Sequence, residues 1–204
     1  MQKRQSGVGR SIAGRVLKHF VRDDGEAVTL PNDAPATIEF EIAYILGRDV
    51  APDDASLTSP IEAVAAIHPA FEIVLSRFID RRAVGWPSFA ADNGAFQALV
   101  LGHAIDRHST GTLASDVVVS VDGEEAARRL SGEDATDPVA ALTDLIAIAR
   151  ERGMMLPKGS IVSTGTVTKP FNVTGVGRQI AARFLGRTLA FTTDIGNSNS
   201  RGGK

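Results

Sequence analysis

Cysteine is absent, which excludes disulfides, Cys-type zinc sites and thiolate nucleophiles, so any metal must be held by oxygen or nitrogen. The same absence is compatible with a reducing compartment, and a cytoplasmic location is expected. A strong charge of one sign is also lacking. The formal net charge of -2 gives no overall attraction to polyanions, and no Lys/Arg-rich block interleaves with aromatic residues. No apolar run approaches membrane-spanning length, and the start carries no apolar signal region. Neither nucleic acid nor a membrane is therefore an expected partner.

Several chemical signatures are missing as well. Gly175-Val176-Gly177 is followed by Arg178-Gln179-Ile180, and Gly7-Val8-Gly9 has Ile12 where a third glycine belongs, so neither forms a dinucleotide fingerprint. The histidines, His19, His68, His103 and His108, show no H-E-x-x-H spacing. Ser115-Asp116 and the H-S-T around Ser109 sit in no G-x-S-x-G elbow. Internal repeats and coiled-coil heptads are lacking too.

What is present is enough for a folded domain, since 204 residues with 43% hydrophobic content can bury a sizeable core. From Met1 to Arg22 the chain carries Lys3, Arg4, Arg10, Arg15, Lys18 and Arg22 and no acidic residue. That balance is shared with organellar transit peptides, but Val8–Phe20 also reads as an ordinary basic helix or turn segment. Arg22–Pro35 reads as a polar connection punctuated by Gly and Pro.

The most informative stretch follows, I-E-F-E-I-A-Y-I-L-G-R-D from Ile38 to Asp49. Alternation places Phe40, Ile42, Tyr44 and Leu46 on one face of a strand and Glu39, Glu41, Ala43 and Ile45 on the other. Only in a strand do the two carboxylates converge. Taken alone, the pair equally fits a hydrated edge. Ser59-Pro60-Ile61-Glu62 then has the order of a capping box with Pro at the first helical position, predicting a short helix over Ile61–Ile67 that His68-Pro69 ends. Phe71, Ile73 and Leu75 alternate with Glu72, Val74 and Ser76 in a second strand. The separation of Glu41 and Glu72 accommodates a loop, a short helix and a returning strand, so a third carboxylate can join the first two. Three carboxylates with water completing the shell describe a Mg²⁺ or Mn²⁺ site rather than a zinc site.

Beyond Trp86, a small-residue helix or turn carries Asp92 and Asn93, which could line a pocket or cap the turn at Gly94. Strands are predicted to end at Leu101 and to cover Leu113–Val121, Ile180–Phe184 and Thr188–Thr193. Asp137-Pro138 opens an amphipathic helix running to Arg152, with Val139, Leu142, Leu145, Ile146 and Ala149 inward and Gly153 as its stop. In I-V-S-T-G-T, from Ile161 to Thr166, backbone N–H groups and hydroxyls could receive a carboxylate, or Gly165 could mark a plain turn.

Taken together, the E-x-E strand, the glutamate in H-P-A-F-E-I-V-L-S-R, the A-D-N-G-A-F-Q-A-L-V-L-G run and the late I-V-S-T-G-T resemble the 2-keto-4-pentenoate hydratase branch of the fumarylacetoacetate hydrolase superfamily, from about Val8 to Thr193. The resemblance implies an α+β fold, a mixed β-sheet roll with a few peripheral helices. It implies Mg²⁺ or Mn²⁺ on Glu39, Glu41 and Glu72, and a metal-dependent lyase that hydrates a 2-hydroxy-2,4-dienoate or its 2-keto acid through an enolate, in aromatic catabolism. 2-Keto acid decarboxylation and C–C hydrolysis are the related reactions. Thr164 and Gly165 are candidates for the substrate carboxylate, Asp92 and Asn93 for orienting water or relaying a proton, and a homo-oligomer is implied.

The pattern also departs from its relatives. The resemblance implies an upstream lysine in a G-x-K-x-G context, which neither Lys3 nor Lys18 has, so the chain reads as an N-terminally shortened member. Gly94, Ala95 and Phe96 stand where small hydroxylated residues follow the A-D-N run. A catalytically silent scaffold or partner subunit is the competing expectation. The division expected is residues 1–35 as a basic segment and linker, 36–195 as the metal-binding catalytic-type domain, and 196–204 as a disordered tail.

Overall fold

The alternation between Ile38 and Leu46 becomes strand β3 (Ala36–Leu46), which is covered on both faces. A computed structural model describes residues 11–31, 34–80, 83–106, 113, 115–131 and 136–195. The expected tail at 196–204 and the H-S-T around Ser109 lie outside them. In chain order, β1 (Val21–Asp23) and β2 (Ala27–Leu30) precede β3. It is followed by β4 (Val64–Val74), α1 (Gly85–Ala91), β5 (Phe96–Leu101), β6 (Val117–Val121), β7 (Glu124–Arg128), α2 (Pro138–Glu151), β8 (Ile161–Thr166), β9 (Phe171–Val173), β10 (Gln179–Phe184) and β11 (Arg187–Ile195).

The strands form two sheets. One runs β1-β5-β4-β3-β8, with β9 also on β3, and the other runs β2-β11-β10-β6-β7. The β1/β5 and β2/β11 pairs are parallel and the remaining pairs antiparallel, which is the mixed α+β arrangement expected. No helix among the described residues is long and apolar enough to cross a membrane.

Period two explains the layers. Phe40, Ile42, Tyr44 and Leu46 join Ile67, Phe71, Ile73 and Val100 on the inner face of the first sheet, against Val117, Val119, Ile180, Ala182, Phe184, Leu189 and Phe191 of the second. Aromatic edges stitch the layers together. Phe40 lies 5.5 Å from Phe71 and 5.6 Å from Phe184, and Phe71 lies 5.3 Å from Phe191, all in tilted or edge geometry. The opposite face of the first sheet carries a smaller apolar cluster of Ala43, Ala70, Phe96 and Leu99, with Val16 and Phe20 against it.

Helix α2 follows its sequence signals. The Asp137 carboxylate accepts hydrogen bonds from the N–H groups of Val139 and Ala140, and Gly153 stops the helix at φ 62°. Leu142, Ile146 and Ala149 are buried as read, and Ile148 joins them.

Three expectations are corrected. The predicted helix over Ile61–Ile67 shrinks to one 3₁₀ turn, Pro60–Ala63, because Val64 already pairs with Leu46 and Ile67 with Tyr44. Tertiary pairing overrides a short, ambiguous apolar pattern. The capping signal itself is real, since the Glu62 carboxylate accepts the Ser59 N–H at 3.3 Å. Arg22–Pro35 is not merely a connection: it supplies β1 and β2, and Val28 and Leu30 alternate into the core. Of the basic helix or turn segment expected over Val8–Phe20, residues 11–17 carry no helix and Lys18–Phe20 makes a 3₁₀ turn. The strand expected from Leu113 begins at Val117.

His68-Pro69 ends no helix and sits inside β4, opposite Ala43 and Ile42. Proline cannot donate to a ladder. The Gly102 N–H donates to the Pro69 carbonyl at 2.9 Å, while the His68 imidazole Nδ1 lies 2.8 Å from the Gly102 carbonyl and supplies the donor that Pro69 lacks. A β-carbon on Gly102 would stand 2.8 Å from Pro69 Cγ, so this crossing admits glycine alone.

Because Phe40 bridges both layers, Phe40→Ala is expected to cost about 3–5 kcal/mol of stability in a urea titration. A loss below about 1 kcal/mol would show that the inter-sheet aromatic contacts do not anchor the core.

Candidate metal centre and cavity

The β3/β4 register decides where the acidic residues meet. Glu39 lies directly opposite Glu72, Phe40 opposite Phe71, and Glu41 opposite Ala70. The glutamates therefore share the outer face while the phenylalanines share the core. One carboxylate oxygen from each of Glu39, Glu41 and Glu72 lies within 4.8 Å of the others. Glu41 is 0% exposed and Glu39 8%, and Glu72 is half-buried, so the hydrated-edge reading does not describe this strand.

Glu41 is held from β8. The Ser163 hydroxyl and the Gly165 N–H, the latter at 3.1 Å, both donate to its Oε2. The β3/β8 register shifts between Glu41 and Ala43, and Gly165 takes φ +91°, a backbone turn that directs its N–H to the carboxylate. The other oxygen, Oε1, is buried without a partner. The remaining buried side-chain atoms without a partner among the described residues are the neutral hydroxyls of Tyr44 and Thr168.

Burial raises the Glu41 carboxyl above its ordinary value, against the hydrogen bonds that Ser163 and Gly165 donate to it. Glu72 is pushed well above the usual carboxylate range, first by burial and then by the charges of Glu41 and Glu39. Without a cation, this cluster holds protons more readily than separate, hydrated carboxylates do. Hard oxygen donors, converging negative charge and one buried oxygen lacking a donor fit a divalent cation of the Mg²⁺ or Mn²⁺ type.

The triad faces a cavity of about 750 Å³ whose walls come from β8, α2 and the segment Ser11–Val16. Two anchors hold that segment. The Ser11 N–H and hydroxyl donate to Asp144 of α2 at 3.0 and 2.8 Å. The Asn93 side chain accepts from the Arg15 N–H at 2.6 Å and donates to the Arg15 carbonyl at 2.8 Å. Gly14 suits this crossing, because a β-carbon there would meet Asn93 Oδ1 at 2.8 Å and displace the amide that holds Arg15.

Of the candidate residues, Glu39, Glu41, Glu72, Asn93, Thr164 and Gly165 all line the cavity. Asp92 does not. Its carboxylate accepts from the Arg77 backbone N–H at 3.2 Å and the Arg77 guanidinium at 3.0 Å, tying the loop after β4 to the turn before β5. The Thr164 hydroxyl donates to the Ile42 carbonyl at 2.7 Å, and the Gly165 N–H is committed to Glu41. Neither donor is free for a substrate in this arrangement.

Sequence reading missed Ser163, Arg15 and Lys169, all of which line the cavity. Ser163 stood in the motif already singled out. Arg15 and Lys169 carried no local signal, and neither forms an ion pair among the described residues.

The fumarylacetoacetate (FAA) hydrolase C-terminal family matches residues 17–195. The chain belongs to this family. Its relatives within the fumarylacetoacetate hydrolase group include a 4-oxalocrotonate decarboxylase of a Pseudomonas species, 29% identical over 193 residues, covering 93% of this chain and 73% of that protein. The 2-keto-4-pentenoate hydratase 1 of Dechloromonas aromatica is 29% identical over 164 residues, covering 80% of this chain and 62% of the relative. The fold is shared with the structure of 4-oxalocrotonate decarboxylase from Pseudomonas putida G7, complexed with magnesium and adipate, at 23% identity and a TM-score of 0.82 over 95% of this chain and 73% of that one. Membership of the fumarylacetoacetate hydrolase group and its mixed-sheet fold were both expected from the motifs.

The raised carboxyls set a pH dependence. A carboxyl that holds its proton more tightly in the folded chain contributes stability that is complete below the unfolded value near 4.5 and is lost as the pH climbs through the raised folded value. In chelator-treated protein, the melting temperature of the wild type relative to Glu72→Gln is expected to fall as pH rises above about 4.5. A difference that grows in favour of the wild type over that range would contradict the assignment.

Proposed function

We propose that this chain is a divalent-cation-dependent lyase that adds water to a 2-hydroxy-2,4-dienoate through its 2-keto acid tautomer. The observation that carries the reading is the triad of buried and half-buried carboxylates, with one oxygen lacking a donor, facing a cavity of about 750 Å³. Glu39, Glu41 and Glu72 would hold Mg²⁺ or Mn²⁺, which when bound supplies Lewis-acid stabilisation of the negative charge developing on a 2-oxo acid as it enolises.

The chain's own groups supply the rest. Three carboxylates around a divalent ion leave a net negative charge, so an anionic substrate needs cations nearby. Arg15 and Lys169 are the cavity's unpaired basic residues among those described, and they are assigned to the substrate's carboxylate. Leu145 and Ile148 of α2 with Ile12 and Val16 of the N-terminal segment shield its carbon chain from water. Asn93 keeps one amide N–H beyond its bond to Arg15 and is assigned to orient the added water. Asp92 supports that turn from outside the cavity through Arg77. Thr164 and Gly165 act by holding β8 to β3 and to Glu41. The family resemblance extends the reading to a homo-oligomer.

Decarboxylation is the second reading, favoured by the relative that matches 93% of this chain under that activity. The two reactions share the enolate and differ in whether carbon dioxide leaves. Incubating the Mg²⁺-loaded or Mn²⁺-loaded protein with 2-hydroxypenta-2,4-dienoate and, separately, with 4-oxalocrotonate distinguishes them: loss of ultraviolet absorbance from the first without gas supports hydration, and carbon dioxide from the second supports decarboxylation. Cation binding with neither product would assign the chain to a silent scaffold.

Glu41→Ala is expected to abolish both turnover and the rise in melting temperature caused by Mg²⁺, which for wild type at a hundredfold excess over Kd is worth about 2.7 kcal/mol. Retained turnover would remove Glu41 from the metal site. Lys169→Ala is expected to raise KM roughly tenfold to a hundredfold, the loss of one charge-assisted contact, with a smaller change in kcat. An unchanged KM would place the substrate carboxylate elsewhere.

A further inference from the structure

We propose that Ser163 is a positioning residue for the cation: with the Gly165 N–H it occupies Oε2 of Glu41, so that Glu41 binds the ion through Oε1 alone. This inference rests on the metal reading above and goes beyond it by assigning a ligand atom and the group that selects it.

A carboxylate has two equivalent oxygens and can bind a hard cation through one or through both. At Glu41 the two are made unequal. Oε2 receives the Ser163 hydroxyl and the Gly165 N–H, whereas Oε1 is buried with no donor. The selection is specific to one hydroxyl of β8. Thr164 and Thr166 turn their hydroxyls to backbone carbonyls, the first to Ile42 at 2.7 Å and the second to Thr168 at 2.8 Å and Phe40 at 3.3 Å, and so serve the backbone. Of the hydroxyls in that run, Ser163 alone donates to a carboxylate. Its place is fixed by the irregular β3/β8 register, in which Ser163 pairs with Ala43, the residue next on the face that carries Glu41.

Two consequences follow for binding. The Glu41 side chain is held before the ion arrives, so less rotational freedom is lost on coordination. Ligation through a single oxygen also leaves one more coordination position for substrate or water than bidentate Glu41 would. Hydrogen-bonded partners that orient metal ligands in this way commonly contribute tenfold to a hundredfold in metal affinity.

The test is calorimetric titration of the chelator-treated, full-length chain with Mg²⁺ and Mn²⁺, comparing wild type, Ser163→Ala and Ser163→Thr, with circular dichroism and melting temperature recorded for each metal-free protein. Ser163→Ala is expected to weaken Mn²⁺ binding by about 10- to 100-fold, and Ser163→Thr, which retains the hydroxyl, to remain within about threefold of wild type. Equal affinity in wild type and Ser163→Ala overturns the proposal while leaving the metal site intact. Equal weakening in the alanine and threonine variants also overturns it, because the hydroxyl would then not be the operative group. A wild type that binds neither ion overturns the metal reading and this inference with it. If Ser163→Ala does not fold, Ser163→Cys, with a weaker donor of similar shape, takes its place and is expected to show an intermediate loss; wild-type affinity there would overturn the proposal.

Discussion

Gathering three carboxylates on the covered face of a central strand is the constraint to which the rest of this structure answers. Each charge removed from water carries a penalty of several kcal/mol unless a proton, a donor or a cation compensates it. The fold supplies donors on one side of Glu41 and leaves its other side bare. It supports the arrangement with a deep apolar layer, because the strand that presents Glu39 and Glu41 outward presents Phe40 and Ile42 inward. Packing energy on one face thus offsets electrostatic cost on the other, and both derive from the same period of two.

The cavity depends on contacts that are distant in sequence. Asn93 and Asp144 pin the N-terminal segment into the cavity wall, and Arg15 lines the cavity as part of that segment. Asn93, Gly94 and Ala95 all take positive φ, at 56°, 67° and 62°. Such a run is costly for the two residues that are not glycine, and it places the Asn93 amide where the Arg15 backbone can use it as a partner. Lys169, just past β8, lines the same cavity. Two cationic residues far apart in sequence therefore line one cavity with the three glutamates.

How much of this could be read from the residues depends on the range of the interaction that decides each feature. Strand β3 and its two faces were legible because alternation is local, and α2 because Asp137, Pro138 and Gly153 mark its ends. The union of Glu72 with the first pair was legible as a possibility, but the exact opposition to Glu39 is a matter of register. Pro60–Ala63 was overread as a helix because V-A-A-I suits helix and strand equally until β3 lies beside it. Strands β1 and β2 were invisible for a similar reason, since their partners β5 and β11 are remote. Asp92 and Asn93 looked equivalent, and only Arg77 and Arg15 distinguish them. The aim of the Ser163 hydroxyl follows from a register shift that no local pattern encodes.

The short turn that joins β1 to β2 has a consequence for how the chain reaches this structure. The two strands belong to different sheets, and β2 lies parallel to Thr192–Ile195 of β11. An early segment must therefore wait for a late one before its backbone groups find partners. Closing so long a loop delays the reward for ordering those residues, which makes this a high-contact-order topology whose final zipping is slow. Until that closure, the edge of β11 that receives β2 stays open, and the half-assembled layers are exposed to wrong pairings with other chains.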